Sequence, residues 1–377
     1  LSCGEASGER YGARLVTALR ELDPSLRFSA LGGQGLAEVG VTLVESSRGI
    51  TIMGFAEVLG AMRRILYVRR AVWRHLAQGD IDLCVPIDFP GFNLRLASRA
   101  KALGIPVFYL IPPQLWAWGR WRLPGLRRSV DRIGTILPFE AEFYRRYEFP
   151  VVPLGHPLME DYGPFPFDRL VEEREGRLAD RNAPLTIGLL PGSRGQEIQR
   201  LLPIMKAAAH IITSWLSRRQ ASFVVSAAPG IEMDRLMGLL ASGLQVSDEP
   251  LPQLLRRLDM AIVCSGTASL EAALAGVPHE IVYVTSPLNF WLARRLVRVP
   301  HVGLANLILG RELAREHIQG QATPLSVSRA LMNWLSLPQA RHAFYQDARW
   351  LRELCGEPGV WRRTAAAILD FLATRRG

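Results

Sequence analysis

Leu185-Thr186-Ile187-Gly188-Leu189-Leu190-Pro191-Gly192-Ser193-Arg194-Gly195 decides the fold. Residues 185–190 are an apolar run of strand length, and residues 197–216 carry apolar side chains at helical spacing. Between them the glycines let the backbone turn tightly and approach a ligand. Amides at a helix start favour an anion, Ser193 adds a hydroxyl, and Arg194 can fork onto phosphate oxygens. Strand, glycine turn and helix in that order form the unit of a parallel α/β sheet. The same turn would also serve as a plain connection with a solvated arginine.

Downstream the unit repeats, with strands expected at 222–226, 260–264 and 280–284 and helices at 232–240, 252–258 and 267–275. From Pro287 onward everything reads helical. Upstream, helices are expected at 7–22, 55–76 and 93–103, and strands at 27–31, 81–87, 105–111, 132–137 and 151–154. The charge-rich residues 168–182 read as a linker or an irregular helix. The fold class that follows is α/β: two Rossmann-like, doubly wound domains facing a cleft, with a helical C-terminal tail. The expected boundaries are 1–160, 161–337 and 338–377. The glycine turn Gly4-Glu5-Ala6-Ser7-Gly8 stands at the very start with no strand readable before it. A doubly wound domain opens on a strand, so the first strand is expected to be missing.

A length of 377 residues fits two domains, and 49% apolar with 21% charged residues excludes a disordered tail, a collagen-like fibre or a pure coiled coil. The net charge of +10 favours anionic partners, either phosphates, phospholipid headgroups or nucleic acid. All but two of the 45 basic residues are arginine, a skew that identifies no particular site. Cys3, Cys84, Cys264 and Cys355 lie far apart, which speaks against a disulfide framework or a zinc ribbon and suits a reducing compartment. The longest uncharged run, residues 102–119, is broken by Pro106, Pro112 and Pro113 and makes a poor transmembrane helix. Nothing resembles a signal peptide. These features describe a cytosolic protein able to touch a membrane without spanning it.

Ser265-Gly266-Thr267 repeats the anion logic after the strand at 260–264. Thr267 can cap the next helix, with Glu271 one turn on and placed to accept from ribose hydroxyls; plain helix capping accounts for the same residues. Asp88 follows the run 81–87, at the carboxyl end of a strand where open α/β sheets bind ligands. Between Phe89 and Phe92 its carboxylate can be desolvated and act as a general base, or simply tie down a turn. Asp80-Ile81-Asp82 resembles a metal-holding D-x-D, but its place at the start of a strand argues against that role, and no metal or cofactor is expected. His156 in Gly155-His156-Pro157 can serve as acid, base or phosphate contact, or as a structural turn residue. No P-loop, H-E-x-x-H or G-x-S-x-G occurs, and Gly33-Gln34-Gly35-Leu36-Ala37-Glu38 only approaches a dinucleotide fingerprint. The helix 55–76 aligns Phe55, Val58, Leu59, Met62, Ile65, Leu66 and Trp73 in a stripe edged by arginines. That pattern fits a bilayer interface or an acyl chain, and equally a helix packed on a sheet.

Taken in order, these segments resemble the lipid-A-disaccharide synthases, inverting glycosyltransferases (family 19) of GT-B architecture. The matching stretches are Gly4-Glu5-Ala6-Ser7-Gly8, Met53-Gly54-Phe55 with Glu57-Val58-Leu59-Gly60, Ile87-Asp88-Phe89-Pro90-Gly91-Phe92-Asn93, Trp116-Ala117-Trp118 and Leu137-Pro138-Phe139-Glu140. Gly155-His156-Pro157, Leu190-Pro191-Gly192-Ser193-Arg194, Ser265-Gly266-Thr267-Ala268-Ser269-Leu270-Glu271, Phe290-Trp291-Leu292-Ala293, and Asn306-Leu307 with Gly310-Arg311-Glu312-Leu313 complete the match. Gln114 stands where the family often has serine, and Val284 where a basic residue is usual.

The resemblance implies transfer of 2,3-diacylglucosamine from UDP-2,3-diacylglucosamine to the 6-hydroxyl of 2,3-diacylglucosamine 1-phosphate (lipid X), without a metal. It places the protein as a peripheral enzyme on an anionic phospholipid surface, at the cytoplasmic face of the inner membrane, with no nucleic-acid partner. It assigns Ser193, Arg194, Ser265, Gly266, Thr267, Glu271 and Asn306 to the UDP-sugar, Asp88 to the base, and Glu5, Ser7 and His156 to the acceptor cleft. Val58, Leu59, Met62, Ile65 and Leu66 would meet acyl chains or the bilayer, and a homodimer with exchanged C-terminal helices is possible. Two rivals stand beside it. An epimerase-like enzyme on UDP-N-acetylglucosamine would turn over unacylated sugar nucleotide, and a non-catalytic basic adaptor for membrane or nucleic acid would bind salt-steeply without releasing UDP.

Overall fold

Neighbouring parallel strands need a crossover to carry the chain back to the same end of the sheet, which a tight turn cannot do, and the helices between the short apolar strands supply it. The computed structural model describes residues 1–4, 6–47, 55–216, 219–228, 244–297 and 299–376, with the backbone alone at residues 6, 55–62 and 376. Two units divide the chain: Leu1–Pro157 with Glu357–Gly377, and Leu158–Gly356. The expected helix at 232–240 lies outside the described residues.

The first unit holds β1 (Ser2–Cys3), β2 (Ser29–Gly32), β3 (Thr42–Ser46), β4 (Pro86–Ile87), β5 (Phe108–Leu110), β6 (Arg132–Thr135) and β7 (Val151–Pro153), in the order β3-β2-β1-β4-β5-β6-β7. The second holds β8 (Leu185–Leu190), β9 (Ala221–Ser226), β10 (Leu244–Ser247), β11 (Met260–Cys264), β12 (His279–Tyr283) and β13 (Glu316–Ile318), in the order β10-β9-β8-β11-β12-β13. Among the described residues, every strand pairing in the two sheets is parallel. In each sheet the chain works outward from the first strand, then returns to that strand's other side. The point of reversal lies between β1 and β4 in one sheet and between β8 and β11 in the other. There, loops leave in opposite directions and a crevice opens at the carboxyl edge.

Helices cover the sheets through their apolar stripes. In the first unit, Leu15, Val16 and Leu19 of the helix Ala6–Leu22 share one core with Ile87, Phe108, Trp361, Ile368 and Phe371. Trp361 and Phe371 belong to the last helix, Val360–Arg376, whose Trp361 packs on Tyr11 with ring centroids 5.3 Å apart. A separate core gathers Val68, Val72, Leu96 and Tyr109. The C-terminal helices are divided, since Pro338–Cys355 belongs to the second unit and Val360–Arg376 to the first.

Several expectations change. Ser2–Cys3, fully buried, supply a strand at the centre of the first sheet where none was readable; two residues are too few to show periodicity. Of residues 81–87 only Pro86–Ile87 form a strand, with one isolated bridge from Cys84 to Val107. The linker or irregular helix expected at 168–182 is a regular helix, Phe167–Ala179. Its buried face is Phe167, Val171, Arg174 and Leu178, a helical stripe disguised by a charged residue within it. The region after Pro287 is not all helical, because β13 completes the second sheet at its edge. The edge strands β3 and β10 also escaped the pattern, being half-buried and partly polar.

Arg174 is 0% exposed and donates to the carbonyls of Leu258 (2.8 Å), Gly276 (2.7 Å), Leu255 (3.1 Å) and Ala275 (3.2 Å). Burial lowers its pKa to about 10, so the guanidinium stays charged at neutral pH. One side chain thus ties three segments of the second unit together. Arg174→Leu preserves an apolar stripe but removes all four donors. Urea denaturation should show a stability loss of about 3 kcal/mol, since buried acceptors left unpaired cost roughly 1–3 kcal/mol each; an unchanged midpoint would show that the strut is dispensable.

Candidate functional site

The carboxyl edge of the second sheet is built from two turns. After β8, Pro191 is buried, Gly192 turns at φ +104°, and Ser193 and Arg194 come to the surface. The helix Gly195–Leu216 then begins, with the amide of Ile198 bonded back to the carbonyl of Arg194 (3.1 Å). Glycine is required at 192: a Cβ there would stand 2.4 Å from Glu197 Oε2 and 3.2 Å from Cys264 Sγ, the last residue of β11. The close approach sets the two turns side by side. Arg194 is half-exposed and only loosely paired with Glu197 (3.4 Å), a surface ion pair weak enough to yield to a phosphate.

After β11, Gly266 takes φ +115° and is itself the N-cap of the helix Thr267–Leu274. No side chain caps this helix; Thr267 is its exposed first residue, which corrects the capping role expected for it. Ser265 Oγ donates to the carbonyl of Val302 (2.7 Å). Glu271, half-buried on the helix, accepts from Tyr162 Oη (3.1 Å). The turns bring Ser193, Arg194, Ser265, Gly266 and Thr267 to one sheet edge, at its reversal point.

Asn306 is different. It is 0% exposed, its Oδ1 accepts from the amides of Leu313 (2.8 Å) and Ala314 (3.0 Å), and its Nδ2 donates to Ala314 O (2.7 Å) and Glu316 Oε1 (2.9 Å). The direct ligand contact expected of Asn306 is therefore replaced by a bracing role. Glu316 accepts from the amides of Val302 (3.0 Å) and Gly303 (2.9 Å), and Ser269 Oγ accepts from Leu304 N (3.1 Å). This network holds the 302–304 loop beside the helix of Glu271. Glu316 was not singled out because its strand was read as helix.

In the first sheet Asp88 directly follows β4, beside the reversal point. Asp88 and Phe89 both have positive φ, +48° and +51°, and such residues cost of order 1–3 kcal/mol each. The surroundings hold them there. Asp88 N donates to Leu110 O (3.0 Å), and Asp88 O accepts from Asn93 Nδ2 (2.7 Å) and Tyr109 Oη (2.9 Å). Asn93, 0% exposed, is fixed in turn by Ser2 Oγ (2.6 Å). Phe89 stacks on Phe92 at 5.9 Å and lies so close to Gly4 that a Cβ there would meet its ring at 2.1 Å. The half-exposed Asp88 side chain is thus aimed by a backbone that cannot relax.

Glu140 carries no local sequence signal of a role beyond its place in Leu137-Pro138-Phe139-Glu140. It is 1% exposed, accepting from Trp116 Nε1 (2.9 Å) and from Leu137 N (3.2 Å) as the capping-box residue of the helix Pro138–Arg145. Desolvation, with a smaller contribution from the charge of Asp88, pushes its pKa up to about 7. Trp116 sits edge-on to Phe139 at 4.9 Å, so the Trp-Ala-Trp turn and the Leu-Pro-Phe-Glu turn are one assembly.

Of the remaining expected residues, Ser7 is exposed on the first turn of its helix, whereas His156 is 2% exposed and held neutral, its pKa lowered to about 4 by desolvation. A buried neutral imidazole does not offer itself to an acceptor. Glu5 and the side chains of Val58, Leu59 and Met62 lie outside the described residues. Ile65 is partly buried and packs against the core rather than standing free, and Leu66 is half-buried. Among the described residues no group of three His, Cys, Asp or Glu is placed to hold a metal, and no helix is long and apolar enough to cross a membrane.

Solved structures share this architecture. A putative UDP-N-acetylglucosamine 2-epimerase from Listeria monocytogenes matches with TM-score 0.61 at 12% identity, covering 99% of this chain and 96% of that one. The calicheamicin glycosyltransferase CalG4 matches with TM-score 0.59 at 16% identity, covering 97% and 96%. At such identities the likeness carries the fold alone, the GT-B architecture of two parallel-sheet α/β domains. The profile of the lipid-A-disaccharide synthetase family matches residues 1–354. Lipid-A-disaccharide synthase of Myxococcus xanthus is 37% identical over 99% of this chain and 97% of its own length, and that of Coxiella burnetii 34% over 99% and 98%. The chain belongs to the lipid-A-disaccharide synthase family, the hexosyltransferases of lipid A biosynthesis.

Glu140 makes stability depend on pH. Its folded pKa of about 7 lies above the ordinary 4.5, so the folded chain binds this proton more tightly. The contribution is complete below the ordinary value and drains away as pH rises through about 7. Glu140→Gln should melt lower in acid, having lost one acceptor, yet show a flatter Tm profile between about pH 5 and 8. Parallel profiles for the two proteins would show that the carboxyl does not titrate there.

Proposed function

We propose that the second unit binds UDP-2,3-diacylglucosamine and the first presents 2,3-diacylglucosamine 1-phosphate to Asp88. Arg194 and the amides after Gly192 and Gly266 take the diphosphate; Glu271 accepts from the ribose hydroxyls. The acceptor 6-oxygen attacks the anomeric carbon, the bond from that carbon to the diphosphate breaks, and the hydroxyl proton passes to Asp88. The products are a β-1′,6-linked disaccharide phosphate and UDP. The observation that carries this reading is the position of the residues: the glycine turns flank the reversal point of one sheet, and a strained, immobilised aspartate stands at the equivalent point of the other.

Substrates with several acyl chains reside in a bilayer, so the enzyme works as a peripheral protein at an anionic membrane surface on the cytoplasmic side. The charge of +10 supports this.

Asp88→Asn is a clean test, because asparagine tolerates positive φ and removes only the base. UDP release at saturating donor should fall about 10²–10⁴-fold with the melting temperature retained. Near-parental turnover would remove Asp88 from the role. Arg194→Ala should weaken UDP binding about tenfold or more by calorimetry, the worth of a charged hydrogen bond; unchanged affinity would place the diphosphate elsewhere.

A further inference from the structure

The helix Pro287–Leu296 follows β12 in the second unit and is capped by Ser286 Oγ, which accepts from Asn289 N (3.2 Å). None of its ten residues is buried. That is unlike its neighbours: the Gly195–Leu216 helix of the same unit buries a full stripe from Ile198 to Ile212. Nor is Pro287–Leu296 polar. Leu288 is 62% exposed, Trp291 50% and Leu296 51%, and Leu292 is half-exposed between them. Positions 288, 291, 292 and 296 fall on one side of a helix, with Arg295 among them, so an exposed side that is apolar but for one arginine is turned away from the core.

The charges beside the stripe are all of one sign. Arg295 lies over the Trp291 ring at 4.1 Å and Arg294 beside Phe290 at 5.9 Å. No Asp or Glu occurs in the sequence between Glu280 and Glu312. A helix side with exposed leucine and tryptophan, two arginines and no acidic residue of its own has the chemistry that suits the headgroup region of an anionic bilayer. A helix of about 15 Å cannot cross the hydrocarbon, roughly 30 Å thick, and so lies in the interface plane. A second copy of this chain is a poor occupant, because a two-fold contact would set Arg294 and Arg295 against their own images.

We propose that the Pro287–Leu296 helix is a membrane-docking element of the second unit, lying in the headgroup layer of an anionic membrane. The inference rests on the reading of the protein as a peripheral membrane enzyme, but it uses residues separate from the 58–66 stripe and from the turns at the sheet edge.

The test is co-sedimentation of the full chain with vesicles of phosphatidylcholine, with and without phosphatidylglycerol. The parent should bind the anionic vesicles and lose affinity as salt rises. Leu288→Ser/Trp291→Ser/Leu296→Ser should reduce partitioning at least about tenfold at an unchanged melting temperature, since each apolar side chain withdrawn from lipid removes a transfer contribution. Arg294→Gln/Arg295→Gln, which leaves the apolar stripe intact, should lower binding about tenfold on anionic vesicles and little on neutral ones. A parent that binds no vesicles overturns both this inference and the peripheral reading. A parent that binds, with both variants binding equally well, overturns this inference alone. Variants that convert a dimer to a monomer while partitioning like the parent would assign the stripe to a contact between copies and overturn it too.

Discussion

Parallel strands must each hand over to a helix that crosses a face of the sheet, and that requirement organises everything chemical in this molecule. Where the strand order reverses, neighbouring crossovers depart to opposite faces and nothing fills the gap at the carboxyl edge. The gap exists between β8 and β11, and again between β1 and β4. Pro191, Gly192, Ser193 and Arg194 lie on one rim of the first gap and Ser265, Gly266 and Thr267 on the other; Asp88 lies on a rim of the second. None of these residues would be near its partners in a sheet of different order.

Holding such edges open requires polar groups in dry surroundings, and several are satisfied by dedicated braces. Asn93 holds the backbone of Asp88, Asn306 and Glu316 hold the loop at 302–304, and Glu140 holds Trp116. A buried amide or carboxyl left unpaired costs enough to reshape the loop, so braces of this kind are specified as tightly as the residues they support. This accounts for Asp88 keeping a left-handed backbone without glycine. The cost of that conformation is offset by three hydrogen bonds to its own main chain.

Much was legible beforehand. The alternation of apolar runs and helical stripes yields two α/β domains because periods of 2 and 3.6 are local properties, carried by consecutive residues. The turns at 191–195 and 265–267 and the position of Asp88 were readable for the same reason. What escaped was whatever local pattern hides. The helix Phe167–Ala179 reads locally as a linker or an irregular helix because Arg174 occupies its buried face, and Arg174 is tolerable only because carbonyls from Leu255, Leu258, Ala275 and Gly276 converge on it from far along the chain. Edge strands such as β3, β10 and β13, partly polar and half-buried, lack the signal that a central strand carries.

The amino-acid order by itself determined the kind of fold, the glycine turns with their anion-ready helix starts, and the family to which the chain belongs, since each depends on residue types at short fixed spacing. Only the tertiary structure decided which of the singled-out side chains are buried and which stand at the surface. Asn306 and His156 turned inward while Arg194 and Thr267 turned outward, and Glu140 became a titrating group near neutral pH. Burial and hydrogen-bond partners come from residues distant in sequence, and they fix both a side chain's direction and its charge.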